Sequence, residues 1–299
     1  MQQIKITAMQ KILLRILFWL GVMAIMTIMA MGIWLVFFGG SQTTESLKWL
    51  QFLQTIGTFL LPPLICARLW AKGESFTWLG LEKGAKWQVF LLGIGIMICA
   101  IPGINLLADL NSRVELPESI DFLAFGHDFN IEQIFKQQEE AAAALTERFL
   151  QADSIGGLLI NIGLMALLPA LAEELSFRGT LQQIICKGQS DQIPSTKVHV
   201  AIWITAFIFS AIHMQFYGFV PRMLMGAMFG YIFVWTGSLW VPMTMHFVNN
   251  GLAVLAYYFF GQNSSADTIG TGATWWVGVV SLIITSLGLL IFYRKTHTR

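Results

Sequence analysis

Long apolar runs separated by short polar segments dominate the pattern of this chain. Runs of about 20 apolar residues recur along its whole length, and a helix of about 20 such residues crosses ~30 Å of hydrocarbon. Eight spans are predicted, at 16–38, 49–70, 87–108, 156–177, 198–216, 219–236, 239–260 and 272–293. The first follows Lys5, Lys11 and Arg15, as the core of a signal peptide would. It is longer than the about 7–15 apolar residues of such a core and closes on no small-residue cleavage site, so it is expected to stay as a spanning helix. Pro62 and Pro63 are expected to kink or break the second span. The fourth is expected to continue as helix towards Lys187. The expected fold is all-α, a polytopic transmembrane bundle of about eight helices.

Composition sharpens the picture. The 299 residues are 56% hydrophobic and 12% charged, with mean hydropathy +0.65, whereas a soluble domain carries about twice that charged fraction. The net charge of +1 speaks against a nucleic-acid partner. Cys66, Cys99 and Cys186 have neither disulfide nor metal-ligand spacing and read as packing residues. Lys and Arg concentrate in the N-terminus, the second and fourth loops and the C-terminal tail, which puts both termini in the cytoplasm. In a bacterial cell this would be a multi-pass protein of the inner (plasma) membrane. The loop 109–153 carries ten acidic residues and should face outward. Within it, residues 131–150 place Ile131, Ile134, Phe135, Ala142, Leu145 and Phe149 on one stripe, as expected of an amphipathic helix on the membrane surface or capping the bundle. The expected organisation is an N-terminal membrane region 1–154, a four-span core 155–260, and a last span with basic tail 261–299.

Ionisable residues inside spans are costly and mark pathways, buried pairs or reactive sites. Here they are Glu173, Glu174 and Arg178 on span four, His213 on span five, Arg222 on span six and His246 on span seven. At ~1.5 Å per residue, Glu173 lies ~21 Å and His213 ~22 Å from the cytoplasmic ends of their helices, with His246 at ~10 Å and Asn250 at ~16 Å. Helices running in alternating directions thus bring these groups into one central layer. Glu174 and Arg178 stand i,i+4 with the acid first, the favourable order for an ion pair. Glu173 is rotated ~100° away, without a local partner, and suits a general base or acid. His246 and Asn250 are also i,i+4, and this pair could bind a metal, hold a water or donate to an oxyanion.

These residues fall in three signatures. "EELSFR" (173–178) has the form E-E-x-x-x-R, "FSAIH" (209–213) the form F-x-x-x-H, and "HFVNN" (246–250) the form H-x-x-x-N. In this order, with Gly237, Ser238, Trp240 and Pro242 before the last histidine, the chain resembles the CAAX-prenyl-protease and bacteriocin-processing (CPBP, Abi-type) intramembrane proteases over about residues 155–255. The resemblance implies an endopeptidase acting on a membrane peptide or a lipidated, membrane-anchored protein within the lipid bilayer. It implies that Glu173 activates water, that Glu174 pairs with Arg178, that His213 and His246 orient the water or bind a metal, and that Asn250 stabilises the oxyanion. His213, His246 and Glu173 are a valid zinc set, and a metal-free glutamate mechanism uses the same residues. Two other classes compete: a non-catalytic binding or immunity protein, and a proton-coupled transporter using the Glu/His layer as a relay.

Overall fold

A computed structural model describes residues 7–114, 131–187, 195–261 and 268–297. Among the described residues the chain is helical and has no strand. The helices are α1 (Ala8–Phe38), α2 (Thr44–Trp70), the short α3 (Ser75–Leu79), α4 (Trp87–Ser112), α5 (Ile131–Leu150), α6 (Ile155–Cys186), α7 (Ser195–Ala211), α8 (Phe219–Thr236), α9 (Trp240–Phe260) and α10 (Trp275–His297). Six of them (α1, α2, α4, α6, α8 and α10) are long and apolar enough to cross a membrane. The other two predicted spans are α7, with 17 residues, and α9, with 21, whose apolar character is diluted by Thr244, His246, Asn249 and Asn250. α1 begins at a capping box in which the Thr7 side chain accepts from Gln10 N and the Gln10 side chain accepts from Thr7 N.

The outward face of the bundle is apolar: Ile28, Val36, Phe37, Phe259 and Phe260 are all exposed, as lipid contact requires. Cys99 is on this outward surface, whereas Cys66 and Cys186 are buried, so only two of the three cysteines pack inside. α4 packs most extensively on α10, and one core cluster joins α4, α8, α9 and α10 through Met97, Phe229, Val241, Met245 and Phe292. A second cluster joins α1, α2, α6 and α7 through Trp19, Cys66, Phe177, Leu181 and Phe209. α6 sits between the two halves.

Proline shapes two of the spans without breaking them. A widened π-turn at Thr55–Leu60 runs directly into the segment holding Pro62 and Pro63, and a second at Ile162–Leu167 runs into the segment holding Pro169. A proline ring crowds the carbonyl four residues back and offers no amide, so the ladder opens ahead of it. The freed carbonyls find other donors. Phe59 O, four before Pro63, accepts the Ser176 hydroxyl at 2.8 Å, and Met165 O, four before Pro169, accepts Asn250 Nδ2 at 3.3 Å. In α4, near Pro102, the Ser281 hydroxyl of α10 inserts into the ladder: it accepts from Gly103 N and donates to Cys99 O.

α5 is the amphipathic helix expected of the outer loop. Phe149 is buried, the Phe135 ring lies 5.6 Å from that of Phe216, and Arg148 Nη2 donates to Gln42 O at 2.9 Å. Ile134 and Leu145 of the expected stripe remain exposed, so the helix rests on the bundle along only part of that stripe.

Candidate active site

Glu174 and Arg178 are both fully buried and paired, Arg178 Nη1 donating to Glu174 Oε1 at 2.8 Å. Arg178 Nη2 also donates to Gly226 O of α8 at 2.8 Å. Gly226 allows this approach, since a Cβ there would stand 3.1 Å from both Arg178 Nη2 and the Phe209 ring. The guanidinium carbon lies 4.5 Å from the Phe209 ring centroid and 5.5 Å from that of Phe229, which adds cation–π attraction.

The ion pair expected from the i,i+4 spacing is therefore present, but Glu174 has a second partner. Its Oε1 also lies 2.9 Å from His246 Nδ1. An ionised carboxylate only accepts, so Nδ1 carries a proton, and in the neutral imidazole Nε2 is then the acceptor. That Nε2 faces Glu173, 3.9 Å from Oε2, too far for a direct hydrogen bond. The imidazole is held by stacking on Phe229, at 5.5 Å and 27°.

His213 is not on a span as predicted. α7 ends at Ala211, and the chain turns there: His213 N bonds Ser210 O, Met214 N bonds Ala211 O, and Met214 has φ 53°. The turn is stabilised by Ser210 Oγ donating to Phe219 O at 2.7 Å and by Asn111 of α4, whose Nδ2 donates to Phe216 O. His213 Nδ1 lies 2.8 Å from Phe209 O and must donate to it, so this ring too presents an unprotonated Nε2.

Glu173, His213, His246 and Asn250 line one cavity of about 290 Å³, together with Asn249 and Arg222. Glu174 and Arg178 stand behind its wall. Asn250 is already engaged: Nδ2 donates to Met165 O, and Oδ1 accepts from Asn249 Nδ2 at 3.1 Å. One Nδ2 hydrogen remains for a ligand. Among the described residues, no three His, Cys, Asp or Glu side chains converge closely enough to hold a metal ion, and as placed His213, His246 and Glu173 do not form such a group.

Three cavity features went unassigned from sequence. Phe209 touches Arg178, His213 and His246 with its ring, the last two at 5.3 and 6.2 Å, although it was read only as a motif letter. Asn249 is one of the unassigned positions of the H-x-x-x-N signature. Arg222, noted as an ionisable residue in a span, was given no role, and that isolated charge was the signal that could have found it.

The fold and the cavity define a polytopic helical membrane protein with a partly buried Glu/His/Asn site. Comparison with known proteins agrees with the signatures. The family model described as type II CAAX prenyl endopeptidase Rce1-like matches residues 155–252, about a third of the chain, and spans all three motifs. One relative is "Uncharacterized protein YpbD" of Bacillus subtilis (strain 168), 33% identical over 92 residues, which are 29% of this chain and 41% of that protein. The chain thus matches less than half the length of this relative. No solved structure matches.

Proposed function

We propose that this chain is an intramembrane endopeptidase that hydrolyses a peptide bond of a membrane-associated protein or peptide, with both termini in the cytoplasm. A water in the cavity gives one hydrogen bond to Glu173 and the other to a histidine Nε2. As its oxygen attacks the carbonyl carbon, Glu173 takes a proton and later delivers it to the amine nitrogen as the C–N bond breaks. The remaining Nδ2 hydrogen of Asn250 donates to the oxyanion. Glu174 acts through His246: by accepting the Nδ1 proton it keeps Nε2 free to receive the water.

What carries this reading is that Glu173, His213, His246 and Asn250, from three separate signatures, line one cavity within the segment that matches the endopeptidase family. The test is turnover of the full chain, purified in detergent, on a panel of membrane peptides followed by mass spectrometry. Glu173→Gln and His246→Ala are each expected to lower the rate about 10²–10⁴-fold, the usual worth of a positioned acid or base. Cleavage at full rate by both variants would remove these residues from the mechanism.

A further inference from the structure

Among the described residues, Arg222 is the one guanidinium lining the cavity, and it is aimed there by local contacts. Its Nη2 donates to Gln215 Oε1 at 2.7 Å, and its backbone amide bonds Gly218 O. Gly218 leaves the room for it, since a Cβ would stand 2.9 Å from Nη2. Its Nη1 is buried and has no hydrogen-bond partner. A buried charged donor without an acceptor is costly, and a ligand that supplies one gains accordingly. A second unsatisfied atom complements it: Glu139 Oε2, on helix α5, is also buried without a hydrogen-bond partner, and Arg222 is attracted electrostatically by Glu139 and, less strongly, by Glu173. Neither residue belongs to a signature, and Glu139 lies outside the family match.

We propose that Arg222 is the carboxylate-recognition residue of this cavity. It selects peptides carrying a carboxylate near the scissile bond, and Glu139 of α5 competes with that carboxylate when the cavity is empty. The inference rests on reading the cavity as a peptidase site. A cavity of about 290 Å³ admits a short peptide segment, so the carboxylate belongs either to a chain end or to an acidic side chain close to the bond.

The test uses the full chain in detergent and a fluorescein-labelled apolar octapeptide of Leu, Ala and Phe. The peptide is prepared as free acid and as C-terminal amide, and the amide also with one Glu or one Gln near its end. Binding is read by fluorescence anisotropy on the Glu173→Gln variant, and turnover on the parent protein. At least one carboxylate peptide is expected to bind about tenfold tighter than its neutral partner, as a charge-assisted pair warrants. A difference between acid and amide assigns the site to a chain end, and one between Glu and Gln to a side chain. Adding Arg222→Gln should bring the ratio to about one, and Arg222→Lys should keep part of it. Glu139→Gln should tighten binding of the carboxylate peptides alone. Gln215→Leu, which releases the arginine without removing it, should lower the ratio and serves if Arg222→Gln does not fold. Equal binding of acid and neutral peptides, or a ratio that survives Arg222→Gln, overturns the proposal. Absence of any Glu173-dependent cleavage would instead overturn the peptidase reading, while the binding ratio still decides the role of Arg222.

Discussion

Glu174 Oε1 accepts a hydrogen bond from His246 Nδ1, 2.9 Å away and across 72 residues of sequence. The same oxygen accepts Arg178 Nη1, and Arg178 in turn reaches Gly226 O. One buried carboxylate thus ties α6 to α9 directly and to α8 through the arginine. It also sets which imidazole nitrogen faces Glu173. A structural role and the proposed chemical role meet on a single atom, and variants can separate them.

Removing one partner of a buried ion pair strands the other and costs about 3–5 kcal/mol. Glu174→Ala should therefore lower the Tm sharply and abolish turnover. Replacing both partners, as Glu174→Leu with Arg178→Met, removes the stranded charge and should recover much of the lost Tm. Turnover should stay lost, because His246 still lacks its acceptor. Thermal unfolding in detergent and peptide cleavage, measured on the same samples, check this. Recovered turnover in the double variant would make the Glu174–His246 contact purely structural.

The contrast between Glu174 and His213 shows what sequence could supply. The Glu174–Arg178 pair was legible because one helical turn brings the two side chains together wherever the helix goes. The Glu174–His246 contact was not, because it depends on how α6 packs against α9. The spans themselves were legible because hydrocarbon forces backbone groups to pair within each helix. The end of α7 was not, since "FSAIHMQF" contains no proline or glycine to mark it. The helix instead ends at Ala211 and the chain turns through Met214, with partners supplied by Asn111 of α4 and Phe219 of α8. That Asn250 shared the cavity was foreseeable from depth. That it would also satisfy a carbonyl freed by Pro169 was not.

This link between Pro169 and Asn250 gives the second prediction. Pro169→Ala supplies an amide that can donate to Met165 O within the helix, in competition with Asn250 Nδ2. The Tm should hold or rise, since the helix gains a hydrogen bond. Turnover should fall about tenfold or more as Asn250 loses the contact that fixes its amide, within the range of a weakened oxyanion donor. Unchanged turnover with a raised Tm would mean that Met165 does not orient Asn250.

Ser281 offers a case in which stability should move without chemistry. Its hydroxyl stands between Gly103 N and Cys99 O and supplies both with a partner near Pro102. Gly103 N and Cys99 O stand i,i−4 and can pair with each other once the hydroxyl is gone, so Ser281→Ala costs only the lost bridging bonds, about 1 kcal/mol. The Tm should drop accordingly, with turnover at low temperature retained. Loss of turnover in folded Ser281→Ala protein would show that the α4–α10 packing shapes the cavity, through the neighbouring Ile104 in its wall.

The last prediction concerns metal removal. Both imidazoles are fixed through Nδ1, His213 by a backbone carbonyl and His246 by Glu174, in the manner that orients metal ligands and water-binding histidines alike. What separates the two uses is convergence, and among the described residues no three ligand-type side chains converge closely enough to hold an ion. A mechanism run by Glu173, His213, His246 and Asn250 alone should be indifferent to chelators. Incubation with EDTA or 1,10-phenanthroline, followed by dialysis, should leave peptide turnover within about twofold of the untreated protein, whereas a metal-dependent site loses activity as its metal is drawn off. Activity lost to the chelator and restored by zinc, but not by magnesium, would require His213, His246 and Glu173 to close on the ion together. Metal analysis of the parent protein and of His213→Ala would then show the metal bound in the first and lost in the second.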